Sequence, residues 1–422
     1  MKRELLLLIS GIILILIASA GFSQIPMFPE TVTMGPSYTN EVYYQFSTGD
    51  TTITPRNTWD ISFRTMIMTS SIITNDGSGV VLWTYPYADT SGWSTLDTNG
   101  LWEWTPMYND PDDWENGAFC KNTTDGDTDC GWGVYNMATH FVEGDSLFVI
   151  KLVDGSFKKI WIVEKDSPND TYLFRYANLD GSDFQEIELD CKDYYPEKDF
   201  VGFNLQTTLI VDYQPLHSTW DLLFTKYMSI QPNGEPYPVT GVLSNPAIYT
   251  KRFYPVDPEY NDWQVDPWDS SRSTIGWDWK TFSMETMTYW VSDSMVFYVK
   301  DTAERVYRLK FTAFEGSSTG NIDFGKALVS PSGINDYKPS DFRVTLFPNP
   351  ATDLIRVNIE SLQPLDEELS LSLVDLSGRK IIKKIFPDTE AMVLNVQSIS
   401  PGIYFIQVSS GNSYATVKLI KQ

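Results

Sequence analysis

A six-residue segment that occurs twice constrains the fold of this chain more than any other sequence feature. Thr58-Trp59-Asp60-Ile61-Ser62-Phe63 recurs in the second half as Thr219-Trp220-Asp221-Leu222-Leu223-Phe224. An upstream segment repeats in the same order, with 42–46 matching 201–205. A duplication in two copies predicts two similar domains, or two lobes of one domain, rather than a solenoid.

Each copy has the residue pattern of β-strands. Segments 149–153 and 157–162 are rich in β-branched and aromatic residues, and the Asp154-Gly155 between them is typical of a hairpin turn. In the repeated motif, Trp and Phe lie four positions apart and face the same side of a strand, whereas Asp faces the other side and is available to a neighbouring turn. Long helical periodicity is absent after the N-terminal segment, so the sequence predicts an all-β protein.

Composition excludes several classes of function. The net charge of −24 argues against nucleic-acid binding and against a polybasic membrane-surface protein. A hydrophobic content of 42% with 14% aromatic residues argues against intrinsic disorder. The chain has two histidines, His140 and His217, which is too few for a three-histidine metal site.

Residues 1–23 are predicted to be a signal peptide. Lys2 and Arg3 precede an apolar run from Leu5 to Ile17, and small residues follow. Cleavage after Ala20 and cleavage after Ser23 both fit the pattern of small residues. The apolar run is short for a membrane span and no second long run follows, so we expect an exported chain without a transmembrane segment.

The last eighty residues form a distinct β-rich segment. Alternation at 369–375 and 403–408, with turn residues between, predicts a small immunoglobulin-like antiparallel β-sandwich. Four motifs follow in order: Pro348-Asn349-Pro350 with Asp353, Asp375 with Gly378-Arg379, Pro401-Gly402-Ile403-Tyr404, and Val417-Lys418-Leu419.

With these motifs, residues 341–422 resemble the C-terminal sorting domain of the type IX secretion system of Bacteroidota. The resemblance implies a sorting signal made by the following residues: Pro348, Asn349, Pro350, Asp353, Gly378, Gly402 and Tyr404. It also implies the type IX secretion machinery as a partner. We therefore expect Sec export, passage through the outer membrane, and then release or attachment to the outer cell surface.

The first copy resembles the HmuY-type haem-binding proteins of Bacteroidota. The resemblance rests on these segments in order: Tyr43-Tyr44-Gln45-Phe46, Asn57 to Arg64, Ile73 to Gly77, Thr139-His140, the Asp154-Gly155 hairpin, and Tyr172 to Tyr176. It implies two HmuY-like antiparallel β domains, at 24–195 and, degraded, at 196–332. A linker at 333–340 and the sorting domain at 341–422 complete the predicted organisation.

The resemblance also implies extracellular capture of haem or porphyrin. Haem iron accepts His or Met as axial ligands, so His140 and Met137 are the candidate ligands in copy one. A haem site requires a dry apolar cleft between two such side chains that face each other.

The alternative is a surface module on the same scaffold that binds a glycan or a protein without haem. Tryptophans crowd the long connection of each copy: Trp93, Trp102, Trp104 and Trp114 in the first, and Trp263, Trp268, Trp277 and Trp279 in the second. A sugar site requires a shallow exposed row of such rings, whereas buried rings belong to a core.

Cysteines and acidic residues indicate a candidate disulfide and a candidate calcium site. In an oxidising compartment Cys120 and Cys130 are expected to form a disulfide, which leaves Cys191 without a partner. Between them, Asp125, Asp127 and Asp129 alternate in a way that could supply oxygen ligands to calcium.

No catalytic residues are predicted. Gly144-Asp145-Ser146-Leu147 matches the tetrapeptide of GDSL-type hydrolases, but strand alternation follows the serine and neither histidine has an Asp three positions before it. No Walker loop, dinucleotide fingerprint or zinc-protease helix occurs. We therefore expect a binding protein rather than an enzyme.

Overall fold

The computed structural model describes residues 27–124, 126, 128–194, 196–330, 342–361, 369–375, 379–386, 392–410 and 413–422. The chain divides into two compact units, one ending at Pro331 and the other spanning Ser332–Gln422. The predicted signal peptide at 1–23 and the predicted linker at 333–340 lie outside the described residues.

The N-terminal unit is built from short β-strands, which confirms the all-β prediction. The strands are β1 (Phe28–Thr33), β2 (Asn40–Tyr44), β3 (Thr51–Pro55), β4 (Ile61–Arg64), β5 (Ile72–Thr74), β6 (Val81–Thr84), β7 (Gly133–Asn136), β8 (Phe141–Gly144), β9 (Phe148–Lys151), β10 (Phe157–Asp166), β11 (Thr171–Asn178), β12 (Gln185–Asp190), β13 (Phe200–Asn204), β14 (Leu209–Val211), β15 (Leu222–Ile230), β16 (Pro236–Ser244), β17 (Tyr249–Phe253), β18 (Lys280–Ser283), β19 (Thr288–Val291), β20 (Val296–Lys300), β21 (Val306–Phe314) and β22 (Asn321–Ser330). Short 3₁₀ turns cover Pro36–Tyr38, Asp76–Ser78, Thr90–Ser94, Leu101–Glu103, Ala118–Cys120, His217–Thr219 and Gly316–Ser318.

These strands form two equivalent β-sandwich lobes. In lobe one, the sheet β14-β13-β4-β5 packs on a sheet that contains β12-β11-β10, with β9 and β6 continuing it and β8-β7 branching from β10. In lobe two, the sheet β3-β2-β15-β16 packs on the sheet β1-β22-β21-β20-β17. Strands of the two copies hold corresponding places, and the hairpins β7-β8 and β18-β19 also correspond, so the structure reflects the duplication.

The two copies exchange their first strands. Strand β13, from the second copy, pairs with β4 of the first, and β2, from the first copy, pairs with β15 of the second. Lobe one therefore consists of β4 to β14, and lobe two of β1 to β3 together with β15 to β22. This corrects the predicted division into domains 24–195 and 196–332, because each sheet is completed by strands from the other copy. The predicted boundary near residue 332 agrees with the division into units.

The repeated aspartates hold these exchanged strands. Asp60 accepts a hydrogen bond from the Leu205 backbone N–H (2.8 Å), and Asp221 accepts one from the Phe46 N–H (2.7 Å). In both cases the carboxylate belongs to one copy and the N–H to the other. We call this pair of contacts the aspartate clasp. The expectation that the Asp is available to a neighbouring turn is confirmed, whereas the donor's origin in the other copy was not foreseen.

The C-terminal unit is a small antiparallel two-sheet sandwich. Its strands are β23 (Phe342–Phe347), β24 (Leu354–Ser361), β25 (Leu369–Val374), β26 (Lys380–Phe386), β27 (Met392–Asn395), β28 (Gly402–Ser410) and β29 (Ser413–Lys421). One sheet has the order β23-β24-β27 and the other β26-β25-β28-β29. Ile355 and Val357 from the first sheet share a core with Leu371 and Ile406 from the second.

Across the described ranges, no helix has the length and apolarity needed to cross a membrane.

Candidate binding sites and the C-terminal unit

Lobe two carries an open pocket of about 550 Å³ whose lining is mostly aromatic. We call it the aromatic pocket. Strands β15, β16, β18 and β19, the turn Pro36–Tyr38 and the end of β21 each contribute to it. Six rings line it: Tyr38, Tyr237, Trp277, Phe282, Tyr289 and Phe314.

Four rings of the aromatic pocket, those of Phe282, Tyr289, Phe314 and Tyr38, form a connected row. Phe282 and Tyr289 face each other across the β18-β19 hairpin with ring centroids 5.0 Å apart, and Tyr289 meets Phe314 edge-on at 4.7 Å. Tyr38 lies parallel to Phe314 at 6.1 Å. Phe314 is buried at the base, whereas Tyr237 is 61% exposed on β16. The row therefore presents ring surface to solvent while its base is fixed by the core.

Two lysines border the aromatic pocket. Lys280 is buried, its ammonium donates to the carbonyl oxygens of Thr240 (2.5 Å) and Trp277 (3.0 Å), and burial lowers its pKa to about 7. Lys226 is half-buried with its Nζ 6.0 Å from the Tyr38 ring, and burial lowers its pKa. Among the described residues Lys226 has no carboxylate partner. Its ammonium is therefore available to a ligand.

A larger groove of about 880 Å³ lies between the lobes. Segments 103–112 and 228–230 form much of its lining. Its polar groups are largely committed to the protein: Asp110 lies 3.6 Å from the Lys121 ammonium, and the Asp112 carboxylate accepts from the hydroxyls of Ser271 and Ser273. The groove lacks the row of exposed rings that the aromatic pocket has.

The predicted haem ligands lie together on an exposed turn. Met137 and His140 belong to the turn between β7 and β8, and Met137 is 71% exposed. The Tyr135 hydroxyl contacts His140 Nδ1 at 2.7 Å. Neither candidate lines the aromatic pocket or the groove. Because a haem cleft needs two ligands that face each other, this pair does not fit an enclosed haem site.

The equivalent turn of lobe two carries two methionines at the positions of Met137 and His140. Met284 and Met287 lie between β18 and β19, both exposed. His140 and Met287 both have a left-handed backbone, with φ of 63° and 55°. This correspondence was not predicted from the sequence. The two turns nevertheless match in sequence, because Met137-Ala138-Thr139-His140 aligns with Met284-Glu285-Thr286-Met287.

The calcium candidates are only partly within the described residues. Asp125 and Asp127 lie outside them. The Asp129 carboxylate accepts hydrogen bonds from the Thr124 N–H and hydroxyl and from the Gly131 N–H. No cluster of three or more His, Cys, Asp or Glu side chains suited to a metal ion occurs in the part of the chain that the structure describes.

Cys120, Cys130 and Cys191 are free thiols in the structure, and the Cys120–Cys130 disulfide in an oxidising compartment stays a prediction. Cys120 and Cys191 lie in the core of lobe one, and Cys130 packs against that core half-buried. Burial raises the pKa of Cys120 to about 11, so this side chain behaves as an apolar core residue.

In the C-terminal unit, Asn349 fastens the last strand of the chain. Its side-chain amide donates to the Lys418 carbonyl (2.7 Å), and its side-chain oxygen accepts from the Ile420 N–H (2.9 Å). Residues 345–422 match the family described as "Secretion system C-terminal sorting domain". The C-terminal unit is a sorting domain of the type IX secretion system. The protein is therefore secreted and lies at the outer cell surface or outside the cell.

Other predicted signal residues of the sorting domain also lie at strand ends. The Tyr404 hydroxyl donates to the Ser400 carbonyl (2.8 Å), and the Asp353 carbonyl accepts from the Val396 N–H (2.8 Å). Pro348 and Pro350 flank Asn349, and Gly402 opens β28. Gly378 lies outside the described residues.

Comparison with solved structures adds little to the family match. The dimeric latent PorU from Porphyromonas gingivalis is 13% identical, with a TM-score of 0.17 over 65% of this chain and 31% of PorU. The BSP domain of a biofilm-associated protein is 8% identical, with a TM-score of 0.16 over 94% of this chain and 81% of that domain. The chain thus spans about a third of latent PorU. No curated protein matches the sequence.

Proposed function

We propose that this is an exported, non-enzymatic binding protein that captures a saccharide in the aromatic pocket. The observation that carries the proposal is the row of rings that ends at the exposed Phe282, with the exposed Tyr237 lining the same pocket. The C–H faces of a pyranose ring pack well on aromatic rings, and its hydroxyls need a few fixed polar partners. The hydroxyls of Thr240 and Thr281 and the Lys226 ammonium border the rings and supply such partners.

The dimensions of the aromatic pocket support this assignment. Its volume of about 550 Å³ falls within the usual range for small-molecule sites, about 300–1,000 Å³. Asp278 at the rim already pairs with Arg252 (2.7 and 2.8 Å), so the rim is ordered before a ligand arrives. An ordered site loses less conformational entropy on binding.

The test is a glycan array probed with the secreted protein, followed by calorimetric titration of the glycan retained. We expect Tyr237→Ala to weaken binding about tenfold or more, because an exposed ring that covers a sugar face contributes on the order of 1–2 kcal/mol. Trp102→Ala is the matched control, since Trp102 is exposed on lobe one and does not line the aromatic pocket. Failure of every glycan to bind, or equal binding by Tyr237→Ala, contradicts the proposal.

Haem capture is the second candidate, and it would use the exposed β7-β8 turn rather than an enclosed cleft. The Tyr135 hydroxyl contacts His140 Nδ1, the His140 side chain is exposed, and the thioether of Met137 lies on the same turn. Both are ligands that haem iron accepts. A haem titration that gives a Soret band at one equivalent, lost in His140→Ala, would favour this candidate, and a flat titration would contradict it.

A further inference from the structure

Arg272 is a buried cation in lobe two that has no carboxylate partner among the residues that the structure describes. The residue is 3% exposed. Its Nε donates to the Ser244 carbonyl (2.9 Å), and its guanidinium carbon lies 3.6 Å from the centroid of the Trp114 ring in lobe one. Its Nη2 has no hydrogen-bond partner among the residues that the structure describes. Burying a charged group without a partner costs folding free energy unless an anion compensates the charge.

The nearest acidic groups are engaged elsewhere. Asp199 forms ion pairs with Arg64 and His217, each at 2.7 Å. The Asp112 carboxylate accepts from two serine hydroxyls, and its backbone carbonyl, rather than its carboxylate, meets the Arg272 N–H. These groups hold the loop around Arg272 in place without neutralising the guanidinium.

Arg272 borders a small cavity between the lobes. The cavity has a volume of about 50 Å³, with Ile73 and Trp114 on one side and Tyr227, Leu243 and Arg272 on the other. The Tyr227 hydroxyl, on a residue that is 7% exposed, is a second buried polar group without a hydrogen-bond partner among the described residues. The two residues that carry these unpaired buried donors therefore line one cavity.

Two carboxyl groups also border this cavity, and neither replaces an external anion. Asp110 is bound to the Asn116 amide and lies 3.6 Å from the Lys121 ammonium. Asp76 accepts from the Asn109 N–H, and burial raises its pKa to about 7, so near neutral pH it is protonated in much of the population. The cavity wall therefore carries less negative charge than its residue types indicate.

We infer that this cavity is an anion site in which Arg272 Nη2 and the Tyr227 hydroxyl bind a halide-sized monovalent anion such as chloride. About 50 Å³ accommodates such an ion or one to two waters, but not a sugar or a phosphate ester. Water would satisfy the two donors but would leave the guanidinium charge uncompensated. Because both lobes line the cavity, the anion would fasten one lobe to the other. This role is independent of any ligand in the aromatic pocket.

The direct test is crystallisation of the secreted protein in sodium bromide with diffraction data collected at the bromine absorption edge. We expect one anomalous peak in the cavity, within hydrogen-bond distance of Arg272 Nη2 and the Tyr227 hydroxyl. Electron density of water alone in the cavity would overturn the inference.

The solution test compares thermal unfolding in sodium chloride and in sodium gluconate at equal ionic strength. Chloride that binds only the folded state raises the melting temperature saturably. Arg272→Met should abolish this rise, and Tyr227→Phe should weaken the apparent chloride affinity about tenfold, the usual effect of losing a hydrogen bond to an ion. The control is Arg252→Met, because Arg252 is a half-buried arginine that is already paired with Asp278 and does not line the cavity.

Equal melting temperatures in the two salts, or an unchanged chloride response in Arg272→Met, would overturn the inference. If Arg272→Met does not fold, Tyr227→Phe and the bromide peak decide the question. Glycan binding to the aromatic pocket is expected to be the same in both salts, so the two proposals can fail separately.

Discussion

The carboxyl group of Asp221 opposes folding at neutral pH, although its oxygen is needed in the aspartate clasp. Its Oδ2 accepts the Phe46 N–H at 2.7 Å, and the residue is 7% exposed. Burial raises the pKa of Asp221 from 3.8 to about 6. Asp221→Asn keeps an oxygen acceptor at this position and removes the charge, whereas Asp221→Ala removes both.

The magnitude follows from this pKa shift. The folded protein binds the proton of Asp221 more tightly than the unfolded chain does, so the free energy of unfolding falls as pH rises from about 4 to about 6. At 1.36 kcal/mol per pKa unit the penalty above pH 6 is about 3 kcal/mol. We expect Asp221→Asn to be more stable than wild type by up to this amount at pH 7.5. Asp221→Ala leaves the Phe46 N–H unpaired, which costs about 1–3 kcal/mol and offsets the gain.

The assay is urea unfolding followed by tryptophan fluorescence between pH 4 and pH 7.5. All 14 tryptophans precede residue 331, so the signal reports on the N-terminal unit. Asp89→Asn is the matched control, because the Asp89 carboxylate is exposed and accepts only a local hydrogen bond from Ser91. If wild type and Asp221→Asn lose stability in parallel over this pH range, the account of the clasp is refuted.

Three further outcomes are expected. Asn349→Ala should destabilise the sorting domain by about 1–3 kcal/mol, because it removes both hydrogen bonds to the last strand, and circular dichroism of the isolated tail or loss of secretion would report it. Gly144→Ala should lower stability by about 3 kcal/mol or more, since an added methyl would overlap the Ile162 carbonyl oxygen; an unchanged melting temperature would contradict this. The thiols of Cys120 and Cys191 should react with a thiol reagent only after unfolding, and rapid labelling of the native protein would count against their burial.

Local sequence patterns were sufficient for the fold class, the duplication and the sorting domain. Strand alternation and turn residues act over a few positions, so the runs around Asp154-Gly155 indicated a hairpin without knowledge of their neighbours. The ordered motifs from Pro348 to Leu419 likewise identified the sorting domain from residue types alone.

The candidate sites were harder to foresee because their residues meet only in the folded chain. Tyr38, Lys226 and Phe282 come from three distant segments, and no spacing in the sequence connects them. The tryptophan-rich connections indicated aromatic surfaces, but of those tryptophans only Trp277 reaches the aromatic pocket, while Trp279 is buried beneath. Whether the ring of Trp277 or that of Trp279 is exposed depends on which side of this segment is covered by a sheet.

By itself the sequence determined an all-β, duplicated, exported chain with a sorting domain, because alternation, repetition and terminal motifs are properties of neighbouring residues. Only the tertiary structure decided that β2 and β13 cross between the copies, and that Arg272 and Tyr227 share a cavity with Trp114. Alternation shows which face of a strand is buried but not which strand lies beside it. That choice depends on the free energy of the complete sheets, to which both copies contribute.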